Sequence, residues 1–415
     1  MVATVYSTSG SGASGLQSPR RGTPRRGDSP RPTHVGTQTA SLVKSHGSHR
    51  VSLAIRNAIA SNTVARGVGA GTWLHGGPVV NDPAATVVRP CGGVIEYTPG
   101  DLVISVNAGT TLEELSEVCA AGGQMLAITP YGSPRSTIGA VVATASAAPL
   151  SYEDLTIRDL VLGLTVVTGT GDVVRVGGKV VKNVAGFDLV RLNTGAFGTL
   201  GIITEVSLRL HAKPTMDHVV TGTLHDGPSH WVPRLIANRA PLPMLVRLAP
   251  GEPAQLFARC TGNEARASAL RGIVQSFGAR GAFTLGPSDT NSASAATSPV
   301  AALRHVPANA LVLRARAKPQ QGDLLIAAAC RTFPDATMLY QPARGSLRIM
   351  TSAANGGDAQ VANFVKSISS VCNADYAVVV EQGAAPLQEA HSLETSIKRA
   401  FDPHGILNRR RPGVV

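Results

Sequence analysis

The 415-residue sequence has few cysteines, few aromatic residues and no long apolar run. The five cysteines are scattered and no pair forms a CxxC motif, which argues against a disulfide framework, a zinc ribbon or an iron–sulfur cluster. Such sparse cysteine is typical of a reducing compartment. No uncharged apolar stretch reaches the roughly 18 residues of a transmembrane helix, and the start lacks the pattern of a secretory signal. We therefore expect a cytoplasmic location, or a membrane-peripheral one reached through partners.

What the sequence does contain favours a folded protein with more than one domain. Apolar residues make up 43% of the chain, which is within the globular range, and the length allows two or three domain cores. The 44 glycines exceed average usage and indicate tight turns and close backbone approaches.

About half of the net charge of +12 lies at the start of the chain. Residues 1–50 hold one acid, Asp28, and seven basic residues, which are Arg20, Arg21, Arg25, Arg26, Arg31, Lys44 and Arg50. This segment is rich in Ser, Gly, Pro and Thr and buries too little apolar surface to order itself. We predict a disordered basic tail over residues 1–49. An arm for nucleic acid or an anionic membrane is the alternative, but no aromatic residues are interleaved for base stacking, so no nucleic-acid partner is predicted.

From Val51 onward the pattern is that of a folded domain. The spacing of Val51 and Ile55 predicts the start of a short amphipathic helix, and a capping box predicts a second helix over 112–120. Two β-rich runs joined by G-T-G-D predict a hairpin within 164–176. Alternating apolar and polar residues predict a strand over 202–210.

After Pro214 strand-like and helix-like runs alternate. The strand-like runs lie near 217–223, 244–248, 255–261, 310–315, 337–341, 346–350 and 376–380, and the helix-like runs near 264–277, 321–331, 358–371 and 392–400. This order predicts an antiparallel sheet with helices on one face, and it is compatible with two ferredoxin-like βαββαβ halves.

A glycine-rich loop, G-V-G-A-G-T, occupies residues 67–72. Its alternate glycines let backbone N–H groups approach a phosphate closely. The spacing is not that of a Rossmann loop, and the Gly-Gly-Pro at 76–78 prevents the helix that such a loop must open. The Gly-Lys-Ser/Thr of a Walker loop is absent. A plain glycine turn is the structural alternative.

Two further segments are rich in small residues. Residues 133–144 leave room beside the backbone for a flat or extended group, or else begin a small-residue helix in a core. In the segment 178–206, five glycines precede a clear strand. Lys182 and Arg191 can face an anionic ligand there, and surface ion pairs are the alternative.

These three segments resemble the vanillyl-alcohol oxidase/p-cresol methylhydroxylase type of FAD-binding domain. Within that family they are most similar to the FAD-binding subunits of bacterial glycolate oxidases. The likeness is carried by G-K-V-V-K-N-V-A-G-F-D-L-V-R-L at 178–192, G-T-L-G-I-I-T-E-V at 198–206 and F-D-P-H-G-I-L-N at 401–408.

The resemblance implies an α+β protein, with a two-subdomain PCMH-type FAD-binding domain followed by an antiparallel-sheet α+β cap domain. We expect the FAD-binding domain over 50–213 and the cap over 216–390. A C-terminal helix and closing segment over 391–415 would return to the FAD-binding domain.

The resemblance also implies which residues bind FAD. They are Gly67, Val68, Gly69, Ala70, Gly71 and Thr72 at the pyrophosphate, Ser136, Thr137, Gly139, Ala140 and Thr144 along the phosphate–ribityl stretch, and Gly198, Gly201 and Ile202 near the adenosine and flavin. Ala70 stands where relatives with covalent flavin carry histidine, so non-covalent FAD is expected. No metal site is expected.

One absence bears on function. The sequence lacks the His-x-Gly-Asp-Gly-Asn-x-His cap motif of stand-alone D-2-hydroxy-acid dehydrogenases. The resemblance therefore implies a subunit of a complex that oxidises glycolate or another small 2-hydroxy acid, beside a catalytic flavin subunit and an iron–sulfur subunit. The alternatives are a self-sufficient FAD-dependent dehydrogenase and a non-catalytic scaffold with structural FAD. No catalytic residue is assigned, and the candidates for binding a substrate carboxylate are Arg247, Arg259 and Arg348.

Overall fold

The computed structural model describes residues 37–72, 84–146, 150–178, 188–237, 242–277, 285–287, 303–307, 309–352, 357–372, 376–383 and 392–408. Helices and antiparallel sheets are combined in two sheet-based units, which confirms the α+β fold class. The sequence block 179–187, part of the third small-residue segment, lies outside the described residues.

The first unit contains α1 to α5 and β1 to β9. The helices are α1 (Thr37–Ala60), α2 (Leu112–Ala121), α3 (Ile138–Thr144), α4 (Ile157–Leu160) and α5 (Leu189–Asn193). The strands are β1 (Ala65–Gly67), β2 (Thr86–Val88), β3 (Val94–Thr98), β4 (Val103–Asn107), β5 (Gln124–Met125), β6 (Val161–Val167), β7 (Val173–Gly177), β8 (Ile202–Arg209) and β9 (His211–Ala212).

A five-stranded antiparallel sheet in the order β3-β4-β8-β6-β7 forms the centre of this unit. Helix α2 packs its apolar face on the sheet, and Thr111 and Glu114 form the predicted capping box at its start. The predicted hairpin is confirmed as β6 and β7, and the alternating strand as β8.

A smaller subdomain is formed by α1 and the parallel pair β1–β2, and it has its own apolar core. Helix α1 begins at Thr37, within the segment predicted as a disordered tail, and residues 1–36 lie outside the described part. Polar contacts hold the second half of α1, because the Ser48 and Thr204 hydroxyls lie 2.8 Å apart and the Ser52 hydroxyl donates to the Gly171 carbonyl. Apolar periodicity does not report such contacts.

The second unit, the cap domain, follows β9. Its strands are β10 (Met216–Leu224), β11 (Met244–Leu248), β12 (Ala254–Gly262), β13 (Leu285–Pro287), β14 (Ala310–Ala317), β15 (Thr337–Gln341), β16 (Ser346–Ser352) and β17 (Tyr376–Gln382). Its helices are α6 (Pro228–Ala237), α7 (Glu264–Ser276), α8 (Gly322–Thr332) and α9 (Asp358–Val371), and α10 (Ser392–Phe401) follows them.

The cap strands form one antiparallel sheet in the order β13-β10-β12-β11-β15-β16-β14-β17. Each run of four consecutive strands has the ferredoxin-like βαββαβ connectivity, and the halves join where β11 pairs with β15. Helices α6 to α9 bury one sheet face in a large apolar core. The opposite face packs on Tyr131 and Leu150 of the first unit, so the cap lies directly against it.

The chain returns to the first unit after α10. The buried Asp402 carboxylate accepts the Ile406 and Leu407 N–H groups at 3.1 and 2.9 Å and pairs with Lys398 Nζ at 2.5 Å. Leu407 pairs with Ala65 of β1, and the Asn408 N–H donates to the Ala65 carbonyl. The closing segment is thereby held beside the loop 67–72.

The five cysteines are free, which agrees with the expectation of no disulfide framework. Burial raises the pKa of the Cys119 thiol to about 12, so this side chain stays protonated at neutral pH. Within the described ranges, no helix has the length and apolar character needed to cross a membrane.

Candidate functional site

The loop 67–72 leaves the smaller subdomain directly after β1. The Gly67 N–H donates to Asn408 Oδ1 at 3.1 Å, and Gly71 has a left-handed backbone (φ 78°) that favours glycine. A Cβ on Gly69 would collide with the Thr137 side chain. The loop therefore lies tightly against the start of α3.

Helix α3 forms the facing wall. Thr137 is its N-cap, and the Thr137 hydroxyl accepts the Ala140 N–H at 3.4 Å. Gly139 packs against Ala108, the residue that follows β4, and the Gly139 N–H donates to the Ala108 carbonyl at 2.8 Å. A Cβ at Gly139 would come within 2.7 Å of Ala108 Cβ, so a small residue is required for this packing.

The third wall is the turn that leads into β8. Phe197 and Gly198 have left-handed backbones (φ 53° and 68°). Asn408 Nδ2 donates to the Phe197 carbonyl at 2.7 Å, while the same amide accepts from Gly67. One side chain from the closing segment therefore connects two walls.

Together these segments enclose one groove. It is lined by Arg66, Gly67, Val68, Gly69, Ala70, Gly71, Thr72, Pro90, Ala108, Thr137, Gly139, Ala140, Ala143, Thr144, Phe197, Gly198, Gly201, Ile202, Ile203 and Asn408. All of the residues predicted to bind FAD are present except Ser136, which is buried behind the groove with its hydroxyl 2.8 Å from that of Thr72.

Sequence reasoning did not find several lining residues. Arg66, Ala143, Phe197 and Ile203 are chain neighbours of predicted residues, so a wider window would have included them. Pro90, Ala108 and Asn408 are remote from the predicted segments in sequence, and only Asn408 lies within a segment that the sequence analysis quoted.

The groove is suited to an anionic ligand. No acidic side chain is among its lining residues in the described part of the chain, and Arg66 stands at the entrance of the loop. Burial lowers the pKa of Arg66 from its usual range, yet a guanidinium so far above neutrality stays charged. Glycine and alanine along the loop and α3 leave the backbone accessible, so an extended dinucleotide fits this donor set.

Two of the three candidate arginines are already engaged in buried ion pairs. Arg259 makes a bidentate pair with Asp217 at 2.9 and 2.6 Å, and Arg348 Nε donates to Glu381 at 2.7 Å. Each also lies over a tyrosine of the first unit, at 5.9 Å from the Tyr152 centroid and 3.4 Å from that of Tyr131. Arg259 and Arg348 thus join the cap to the first unit, and their role in binding a substrate carboxylate stays a prediction.

The remaining candidate, Arg247, pairs with Glu252 at 2.6 Å. It lies at the edge of a separate cavity on the cap sheet, beside Thr223 and Gln255. The structure therefore does not bring the three candidate arginines together.

The fold and groove have the PCMH-type FAD-binding architecture. Among solved structures, an Acremonium strictum glucooligosaccharide oxidase matches with a TM-score of 0.66 and 14% identity over 89% of this chain and 90% of that one. An alkyldihydroxyacetonephosphate synthase matches with a TM-score of 0.59 and 18% identity over 88% of this chain and 75% of that one. These likenesses establish the fold.

Sequence comparison identifies the domain more closely. Residues 40–177 match the family model described as an FAD binding domain. Glycolate oxidase subunit GlcE of Escherichia coli (strain K12) is 41% identical over 31% of this chain and 37% of its own length. D-lactate dehydrogenase of Archaeoglobus fulgidus is 32% identical over 34% of this chain and 32% of its own. The matches thus span about a third of each relative.

Proposed function

We propose that this chain is the FAD-binding subunit of an oxidoreductase complex that acts on a small 2-hydroxy acid such as glycolate. It would hold FAD non-covalently and pass electrons toward an iron–sulfur partner, beside a catalytic flavin subunit. The observation that carries the proposal is the groove, in which three sequence-distant segments expose glycine backbone and whose described lining residues include no acidic side chain. The similarity to GlcE, whose name describes a glycolate oxidase subunit, supports the substrate class and the subunit role.

Each wall of the groove has a distinct part in binding. The N–H groups of the loop 67–72 would donate to the pyrophosphate, and Arg66 would offset its charge. Ala140, Ala143 and Thr144 would face the extended chain of the ligand along α3. Asn408 would hold the loop and the Phe197 turn at a fixed separation, which orients the ligand between them.

Non-covalent attachment is supported by the lining residues. Covalent flavin requires a nucleophilic side chain such as histidine, cysteine or tyrosine, and none occurs among the described lining residues. FAD bound here would accept a hydride and pass on electrons singly or in pairs. The cap sheet packs on Tyr131 and Leu150 of the first unit, and this contact is apolar and buried.

The direct test is an absorbance spectrum of the purified full-length chain, before and after acid precipitation. We expect a flavin spectrum whose colour moves into the supernatant, because the cofactor is not covalently bound. Folded protein without flavin would contradict the proposal, and colour retained in the pellet would contradict non-covalent binding.

Anaerobic addition of glycolate then tests the subunit role. We expect the flavin of the isolated chain to stay oxidised and to bleach only when partner subunits are added. Bleaching by glycolate alone would indicate a self-sufficient dehydrogenase. Flavin that stays oxidised throughout turnover of the assembled complex would indicate a scaffold with structural FAD.

A change at Asn408 tests the connection between the groove walls. Asn408→Ala removes both side-chain hydrogen bonds, and we expect FAD affinity to fall by up to about thirtyfold, since each bond contributes on the order of 1 kcal/mol. Fluorescence titration of flavin into apoprotein measures the effect. The matched control is Asn57→Ala on α1, outside the lining residues, which should bind FAD like the parent. Equal affinity of both variants would exclude the orienting role.

A further inference from the structure

A second pocket lies between the two units and carries four arginines. Arg158 approaches from α4 of the first unit. Arg314 and Arg316 alternate on β14, so their side chains lie on the same sheet face, and Arg344 lies in the turn between β15 and β16. We name this cavity, of about 140 Å³, the arginine pocket.

The positive charge of the arginine pocket is mostly uncompensated. Among the described carboxylates only Glu381 lies within ion-pair distance of a pocket arginine, at 3.4 Å from Arg314, and Glu381 is shared with Arg348. Arg158 donates to the Thr194 carbonyl at 3.1 Å, which supplies no full negative charge. For Arg316 and Arg344 the described ranges show no ion pair.

The four arginines of the pocket act on one another electrostatically. The pKa of Arg316 is lowered first by burial and then by the charges of Arg314, Arg344 and Arg158. Like charges held together cost free energy unless an anion lies between them. Arg158 and Arg316 are exposed to solvent and Arg314 and Arg344 are half-buried, and all four line one concave cavity together with Ser346.

We propose that the arginine pocket binds the carboxylate of a small organic acid through Arg316 and Arg344. The planar guanidinium group of arginine can donate two parallel hydrogen bonds to the two oxygens of a carboxylate. This geometry favours a carboxylate over a spherical anion such as chloride. The cavity holds several water molecules and therefore has room for a small acid. The site rests on the proposed function for the identity of the acid, a 2-hydroxy acid or its oxidised product.

The position of the pocket is consistent with this role. Ala145 and Ser146 line it, and they directly follow Ala143 and Thr144, which line the groove. A carboxylate in the arginine pocket would therefore lie just beyond the end of the same helix that forms one wall of the groove. Ser146 is itself fixed, because its hydroxyl accepts the Tyr131 N–H at 3.2 Å.

Calorimetric titration of the full-length chain with sodium glycolate and with sodium oxalate tests the proposal. We expect saturable binding of one equivalent, weakened about tenfold by Arg316→Gln and again by Arg344→Gln. Arg331→Gln, an exposed charge on α8 outside the pocket, is the matched control and should bind like the parent. Urea midpoints and FAD content are measured for each variant, so that loss of the site is distinguished from loss of the fold.

Three results would overturn the inference. They are no carboxylate binding by the parent chain, unchanged binding by the Arg316→Gln/Arg344→Gln double variant, and sulfate binding as tight as that of the carboxylates. Failure of the proposed function has a different signature, which is the absence of FAD. The titration reads anion binding independently of flavin, so the two failures are distinguishable.

Discussion

Gly139→Ala is expected to reduce FAD binding by at least about tenfold and to destabilise the fold by about 1–3 kcal/mol. The added methyl would lie 2.7 Å from Ala108 Cβ and 2.8 Å from the Ala108 carbonyl oxygen. These atoms belong to the backbone and its first carbon, so no rotamer change relieves the contact. Helix α3 must then move away from β4, and with it the wall that carries Thr137 and Ala140.

The direction of the stability change in Gly139→Ala is informative, because alanine alone would favour the helix by about 1 kcal/mol relative to glycine. A net loss of stability therefore isolates the steric conflict. Bound flavin per chain and the free energy of unfolding in urea are the measurements. Gly100→Ala is the control, since a Cβ there meets no atom within 4 Å. If Gly139→Ala retains flavin and stability to the same degree as the control, close packing of α3 on β4 does not shape the groove.

Glu381→Ala is expected to have the largest effect on stability, a loss of about 3–5 kcal/mol. Arg314 and Arg348 are directly opposite in the β14–β16 register, an arrangement that places two like charges together. Glu381 accepts from Arg348 at 2.7 Å and lies 3.4 Å from Arg314, and Arg348 is only 3% exposed. Removal of the carboxylate leaves these charges without their shared counterion.

A β-bulge explains how Glu381 reaches both arginines. Val312 pairs with Gln382 and Leu313 with Val380, which leaves Glu381 as the extra residue of β17. Such a bulge redirects a side chain. Urea unfolding measures the loss, and Glu252→Ala, which breaks the exposed pair with Arg247, should leave the urea midpoint unchanged within error. Equal midpoints for the two variants would show that the buried pairs do not stabilise the cap.

Local patterns in the sequence were sufficient for much of the fold. The capping box at Thr111, the G-T-G-D turn and the alternation in β8 each depend on residues within one element, so each could be predicted without tertiary contacts. The order of strands and helices in the cap was sufficient for its ferredoxin-like halves.

The features that sequence reasoning missed depend on distant contacts. Asn408 meets Phe197 across more than two hundred residues, and Ser48 meets Thr204 across more than one hundred and fifty. The buried partners of Arg259 and Arg348 lie 42 and 33 residues away along the chain. No periodicity or motif encodes these pairs, because each is determined by how distant segments of the chain pack together.

The duplicated plan of the cap has a mechanical consequence. Arg259 lies on the third strand of the first half and Arg348 on the third strand of the second, and each contacts a tyrosine of the first unit. The repeat thus supplies one arginine contact with the first unit from each half of the cap. Each half is held by its own contact, so loss of one contact leaves the other half attached to the first unit.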